Sequence, residues 1–109
     1  MQNYSKSKVV LVKYPFTDLV NFKVRPAIII SKGVYNDIFI VPLTSKTLFL
    51  RESEFILNDW KKAGLNIVTA VKRGIYTIDS KLILKEIGYL TKDDFEKLKL
   101  SILHWLELK

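Results

Sequence analysis

"RPAIIISKGVYNDIFIVPLTS", Arg25 to Ser45, decides the fold. It contains two runs of branched apolar residues, each about one strand long, joined by "KGVYN", where Gly33 and Asn36 supply the turn. The apolar residues are continuous rather than alternating, as in strands covered on both faces. Pro42 cannot donate to a sheet ladder, so the second strand should be exposed or bulged there. The first strand opens on a charge: Arg25 stands directly before Pro26, which restricts the preceding backbone to an extended conformation. A guanidinium is therefore held at the mouth of a core strand.

Outward from this pair, "KVVLVKY" (Lys8 to Tyr14) reads as another strand with both faces covered, followed by the loop "PFTDLVNFK" with turn residues Pro15, Asp18 and Asn21. C-terminally, "FIL" (Phe55 to Leu57), "NIVTAVKR" (Asn66 to Arg73) and "LILKEIGYL" (Leu82 to Leu90) are further strand candidates, with "GIYTIDS" between the last two. Asn58 reads as the N-cap of a short helix, "DWKKA", stopped by Gly64.

The clearest helix closes the chain. Thr91 and Asp94 have the spacing of a capping box, and Asp93 and Asp94 suit the positive end of the helix dipole. Phe95, Leu98, Ile102, Trp105 and Leu106 then form one stripe that packs on the sheet. His104 falls opposite and should meet solvent. Leu100 and Leu108 lie off the stripe, which predicts either a broad core or a second apolar contact between subunits. Five or six short strands and a closing helix predict a mainly β domain with some α, a small, partly open barrel.

Composition narrows the chemistry. The 109 residues suit a single domain, 1–109, and no linker, repeat or low-complexity segment divides them. No apolar run reaches the ~20 residues that cross a bilayer, and the N-terminus lacks the apolar core of a signal peptide. The expectation is a cytoplasmic protein. Without cysteine there is no disulfide or thiolate chemistry, and a single histidine makes an all-protein zinc site a poor expectation. No cofactor or metal is expected. The net charge of +7 calls for an anionic partner such as nucleic acid, an acidic protein or a membrane surface. Residues 93 to 109 hold three Lys and four acids, leaving 15 bases against 7 acids in residues 1 to 92, about +8. The anion should meet the N-terminal part.

"VVLVKYPFTDL", "KVRPAIIIS", "IFIVPLTS", "DWKKAGL" and "TIDSKLILKEIGYLTKDDFEKLK" resemble, in this order and at similar spacing, the MazF/PemK-like toxins of toxin-antitoxin pairs. The resemblance covers roughly Val9 to Lys99. It implies an SH3-like barrel, a homodimer, a cognate antitoxin, and a metal-independent endoribonuclease that cuts single-stranded RNA. By the same resemblance Arg25 and Thr44 match the catalytic arginine and threonine of such toxins. Ser45, beside Thr44, and Asp18, the only carboxylate in the matching N-terminal motifs, are further catalytic candidates. Phe16 and Thr17 match the loop flanking the RNA groove. Lys23, Lys46, Lys72 and Arg73 are candidates for contacts with the RNA backbone. Trp60, Phe16 and Tyr35 could stack bases or serve packing.

The chain departs from the family pattern at three places. Ser7-Lys8 replaces a Gly-Asp pair, and Asn21 replaces a turn glycine. The places of an Arg and an Asp that precede the T-I-D motif in PemK-type members are taken by Val71 and Arg73, so that acid is missing.

The proposed chemistry explains the guanidinium. Attack of an RNA 2'-OH on its own phosphorus builds negative charge on the phosphoryl oxygens, and a fixed guanidinium opposite them lowers the barrier through a two-pronged contact. Arginine keeps its proton above pH 12 and is a poor general base, so Arg25 is assigned to anion stabilisation. A non-catalytic nucleic-acid-binding barrel and an SH3-like protein-interaction module are the alternatives.

Overall fold

The computed structural model describes residues 6–14, 23–33 and 35–108. Pro15, Phe16, Thr17, Asp18 and Asn21, singled out above, lie outside them.

Six antiparallel strands form the sheet: β1 (Lys8–Tyr14), β2 (Lys23–Lys32), β3 (Asp37–Thr44), β4 (Ala70–Val71), β5 (Tyr76–Asp79) and β6 (Ile83–Tyr89). Their order is β4-β3-β2-β1-β6, with β5 also paired to β3. The path ends at β4 and β6 without closing, so the barrel is partly open as expected. Among the described residues one α-helix, α1 (Lys92–Trp105), follows.

The continuous apolar runs have the predicted cause. On the central strands, side chains of one parity enter one cluster (Val10, Val12, Ala27, Ile29, Ile38 and Ile40). Those of the other parity (Val9, Ile28, Val41 and Leu43) enter a second cluster, with Leu98 of α1. Burying one such side chain contributes about 1.5–3 kcal/mol. Both faces of β1, β2 and β3 do so, which makes this three-strand unit the rigid base of the molecule.

Pro42 marks a change of partner. β3 pairs with β5 over Asp37 to Ile40 and with β4 at Leu43 and Thr44. A strand residue aims its N–H and C=O at the same neighbour. The Pro42 carbonyl accepts from the Lys72 N–H at 2.9 Å, so the missing N–H faces β4 and the β2–β3 ladder loses nothing. The shift in register between β2 and β3 lies instead at Ile29/Ser31.

Several expectations are corrected. "DWKKA" is a run of turns, not a helix. The short helical piece of the structure is a 3-10 turn, Ser80–Leu82. Asn58 does not cap a helix; its N–H donates to Asp94 at 3.0 Å, and that of Asp59 does so at 3.1 Å. Asp94 is fully buried. Thr91 caps α1 as predicted, accepting from the Asp94 N–H at 3.3 Å. The acid of the box reaches across to the 58–59 turn instead of back to its cap.

The candidate strand at 55–57 reduces to one bridge, Ile56 to Ala70. The one at 66–73 keeps only Ala70–Val71, whereas the connecting segment yields β5. Leu106, assigned to the buried stripe, is 51% exposed at the C-cap. Leu100 and Leu108 are exposed, so the broad core, one of the two alternatives, does not include them.

The 58–64 turns are locked to β6 by glycine. A Cβ on Gly88 would lie 2.3 Å from the Ala63 carbonyl carbon, and one on Gly64, at φ +82°, 1.8 Å from the Ile87 oxygen. Only glycine permits both approaches.

Candidate functional site

Arg25 lies on β2 opposite Val12 of β1. On the other side, the β2–β3 pairing reaches Ala27 and Pro42; carried two residues further, that register sets Arg25 across from Thr44. Both line one open groove of about 630 Å³ at the end of the three-strand unit. Pro26, Pro42 and Leu43 are among its apolar lining. Lys23, Ser45, Lys46 and Lys72 join Arg25 and Thr44 in the lining. Six residues selected from the sequence thus converge on one cavity. Four of them are cationic, and among the described residues that line it there is no carboxylate, imidazole or thiol.

Arg25 is exposed, and its Nη1 donates to the Val24 carbonyl at 3.1 Å. No carboxylate forms an ion pair with it among the described residues. The Thr44 hydroxyl oxygen accepts from the Lys46 N–H at 3.1 Å, which closes a tight turn where β3 ends. With an acceptor site so engaged, its O–H can rotate to donate into the groove.

Two tyrosines in the lining were not selected from the sequence. Tyr14 is 5% exposed, and burial, then the nearby Tyr76, pushes its hydroxyl up to about 12. It is therefore a neutral donor at physiological pH. Its position as the last residue of an apolar strand marked it only as core.

Arg73 lies beside the groove, in an adjoining cavity of about 360 Å³ that shares Thr44, Lys46, Lys72 and Tyr76 with it. The Glu54 carboxylate accepts from the Arg51 N–H at 2.6 Å and the Arg73 N–H at 2.8 Å. Burial pushes Glu54 up. The two N–H donors and the positive charges of Arg51 and Arg73 outweigh it and hold the group below its ordinary 4.5.

The remaining candidates fall elsewhere. Trp60 is half-buried against the helix-side core, so its role is packing, with Lys61 Nζ 5.5 Å from the ring centre. Tyr35 is 97% exposed at a turn with φ +61°, away from either cavity. His104 lies outside both cavities, 3.1 Å from Glu52 across an exposed pair. Val71 is fully buried, so the missing family arginine leaves no side chain of its own at the groove. Ser7, at the place of the family glycine, keeps φ +73°, a conformation suited to glycine.

An open antiparallel barrel with a basic groove at one end and a closing helix places the chain in the class of small groove-bearing β domains. A family model described as "PemK-like, MazF-like toxin of type II toxin-antitoxin system" matches residues 6–106, and the chain belongs to that family. No curated protein matches it.

Solved structures share the fold. A Mycobacterium tuberculosis toxin, MazF-mt6, superposes with a TM-score of 0.75 at 20% identity, covering 94% of this chain and 98% of that one. An endoribonuclease from a mycobacterial species gives 0.73 at 17% identity, covering 98% and 94%. A mycobacterial endoribonuclease in complex with its cognate antitoxin gives 0.73 at 18% identity, covering 98% of both chains.

Proposed function

We propose that this chain is an endoribonuclease that cuts single-stranded RNA without a metal, as the toxin of a toxin-antitoxin pair. The observation that carries the reading is the meeting of Arg25 and Thr44 in one groove with three lysines. The 2'-OH of the nucleotide before the cut attacks phosphorus while the bond to the 5' oxygen breaks, leaving a 2',3'-cyclic phosphate and a 5'-OH. Arg25 stabilises the charge that grows on the phosphoryl oxygens. Thr44 donates to one of them, and Lys23, Lys46 and Lys72 hold the strand on either side. Ser45 is a second hydroxyl beside Thr44. Asp18 is the candidate acceptor of the 2'-OH proton, on the sequence match alone.

The protein acts in the cytoplasm as a homodimer, with the exposed Leu100, Leu106 and Leu108 in the subunit contact. An acidic antitoxin segment competes with RNA for the basic groove. Light scattering should give about twice 12.7 kDa.

The test is incubation with a long RNA in excess EDTA. Cleavage should persist, yield the cyclic phosphate, and disappear when the nucleotide 5' to the cut is 2'-deoxy. Efficient cutting of the deoxy substrate overturns the mechanism. Binding with no cleavage at all would establish the second reading, a nucleic-acid-binding barrel, which the family acid missing at the Val71 and Arg73 positions favours.

A further inference from the structure

The segment between Thr44 and Phe55 has a feature that the fold does not use. Phe49 is 96% exposed and sits at φ +59°, and Leu48 beside it is 78% exposed. A left-handed backbone is unfavourable for a non-glycine residue because its Cβ crowds the following carbonyl oxygen, and exposing a phenyl ring forgoes its burial. Both costs fall on one residue. Strain of this kind persists where the surroundings impose it, and it clusters at ligand sites.

The surroundings are the adjoining cavity of about 360 Å³, whose lining Phe49 shares with Lys46, Arg51, Lys72 and Arg73. Its one acid, Glu54, has both oxygens engaged by the Arg51 and Arg73 backbone N–H groups. The carboxylate therefore ties the 51–54 turn to the segment after β4 and fixes the spacing of the roots of two arginines.

We infer that this cavity is a second RNA subsite, in which Phe49 stacks the base of a nucleotide lying next to the cleavage groove and Arg51 and Arg73 hold its phosphates. An exposed ring supplies a face to any base, and cations at its rim supply the backbone contact. The shared residues Thr44, Lys46, Lys72 and Tyr76 make the two cavities continuous, so one strand can occupy both. Glu54 is a positioning residue. The subsite rests on the reading of the protein as one that handles single-stranded RNA.

The test uses the full chain and single-stranded RNA oligonucleotides with 2'-O-methyl sugars, which lack the attacking hydroxyl. A 2-aminopurine is placed at successive positions. Its fluorescence should be quenched at one position on binding. Phe49→Ala should abolish that quench and weaken binding about 5- to 150-fold, while Phe49→Trp retains both. Arg51→Ala and Arg73→Ala should each reduce the dependence of log affinity on log salt by about 0.7. Glu54→Gln should diminish the quench even though the ring is intact.

Phe49→Ala that binds and quenches as the parent does overturns the subsite. So does a variant that loses only an Asp/Glu-rich peptide, which would assign the surface to a protein partner. The proposed activity fails separately. RNA that is quenched by Phe49 while the unmodified strand is never cut removes the nuclease and leaves the subsite; cutting without any Phe49 dependence does the reverse.

Discussion

Removing the Asp94 carboxylate should unfasten the helix from the 58–59 turn. Its two oxygens accept from the N–H groups of Asn58 and Asp59, 36 and 35 residues away in sequence. Hydrogen bonds to a charged group contribute about 1.5–3 kcal/mol each, so two give about 3–6 kcal/mol. Part of this is offset: Asn58 is exposed and Asp59 half-buried, so water recovers their N–H groups, and a fully buried carboxylate no longer has to be desolvated. About 2–4 kcal/mol remains. For a domain of this size the melting temperature should fall by about 8–16 °C in Asp94→Ala, read by circular dichroism. Asp94→Asn should do little better, because its amide turns a donor toward one of the two N–H groups. The Thr91 cap uses the backbone of residue 94 and survives both substitutions. The 58–64 turns lead into Leu65 of the groove lining, so RNA affinity should fall with stability. A shift of less than about 2 °C for Asp94→Ala, or parental stability in Asp94→Asn, would refute the clamp.

Arg25→Ala should lower the cleavage rate about 100- to 1,000-fold with the melting temperature unchanged, and Arg25→Lys should restore only part, in single-turnover assays. Ser7→Gly should gain about 0.5–1 kcal/mol in urea unfolding, since relief of the positive φ exceeds glycine's added chain entropy. Gly88→Ala should lose about 3 kcal/mol or more by the same measurement, because the new methyl meets the Ala63 backbone. Tyr14 holds its proton to about 12 when folded and to about 10.0 when unfolded, so its contribution is complete below pH 10 and is lost as the pH rises toward 12. Tyr14→Phe should flatten that part of the alkaline decline in melting temperature; an unchanged slope would show that the phenol is not protected.

The strands legible in the sequence were those with both faces buried. Their apolar runs have no rival reading, and β1, β2 and β3 fall where the runs are. β5 was missed because only Ile78 of its four residues is buried, so its period-2 signal is nearly absent. "DWKKA" carries good helix formers between an Asn and a Gly, yet tertiary contacts override them: Asp94 takes the Asn58 N–H, and Gly64 turns left-handed under the Ile87 carbonyl.

For the site, the meeting of Arg25 and Thr44 was legible through their motif positions. Glu54 was not. Its partners are two backbone N–H groups, one of them 19 residues away, and backbone donors leave no trace in residue identity. Phe49 was equally silent, since an exposed aromatic in a loop reads as nothing until its φ and its neighbours are known.

The partner change at Pro42 has a consequence for how such a groove can diversify. β4 and β5 diverge from β3 at a residue with no donor to strand, so the gap between them leaves no N–H of residue 42 to be satisfied. The seam can widen or narrow by adding or deleting residues between Lys72 and Ile75 at little cost to either core, because Lys72, Arg73 and Ile75 contribute to neither buried cluster. Length variation there would reshape the groove while Arg25 and Thr44 stay at the ends of strands whose middles are buried on both faces. A lineage could thereby change what it recognises without disturbing the residues proposed to cut.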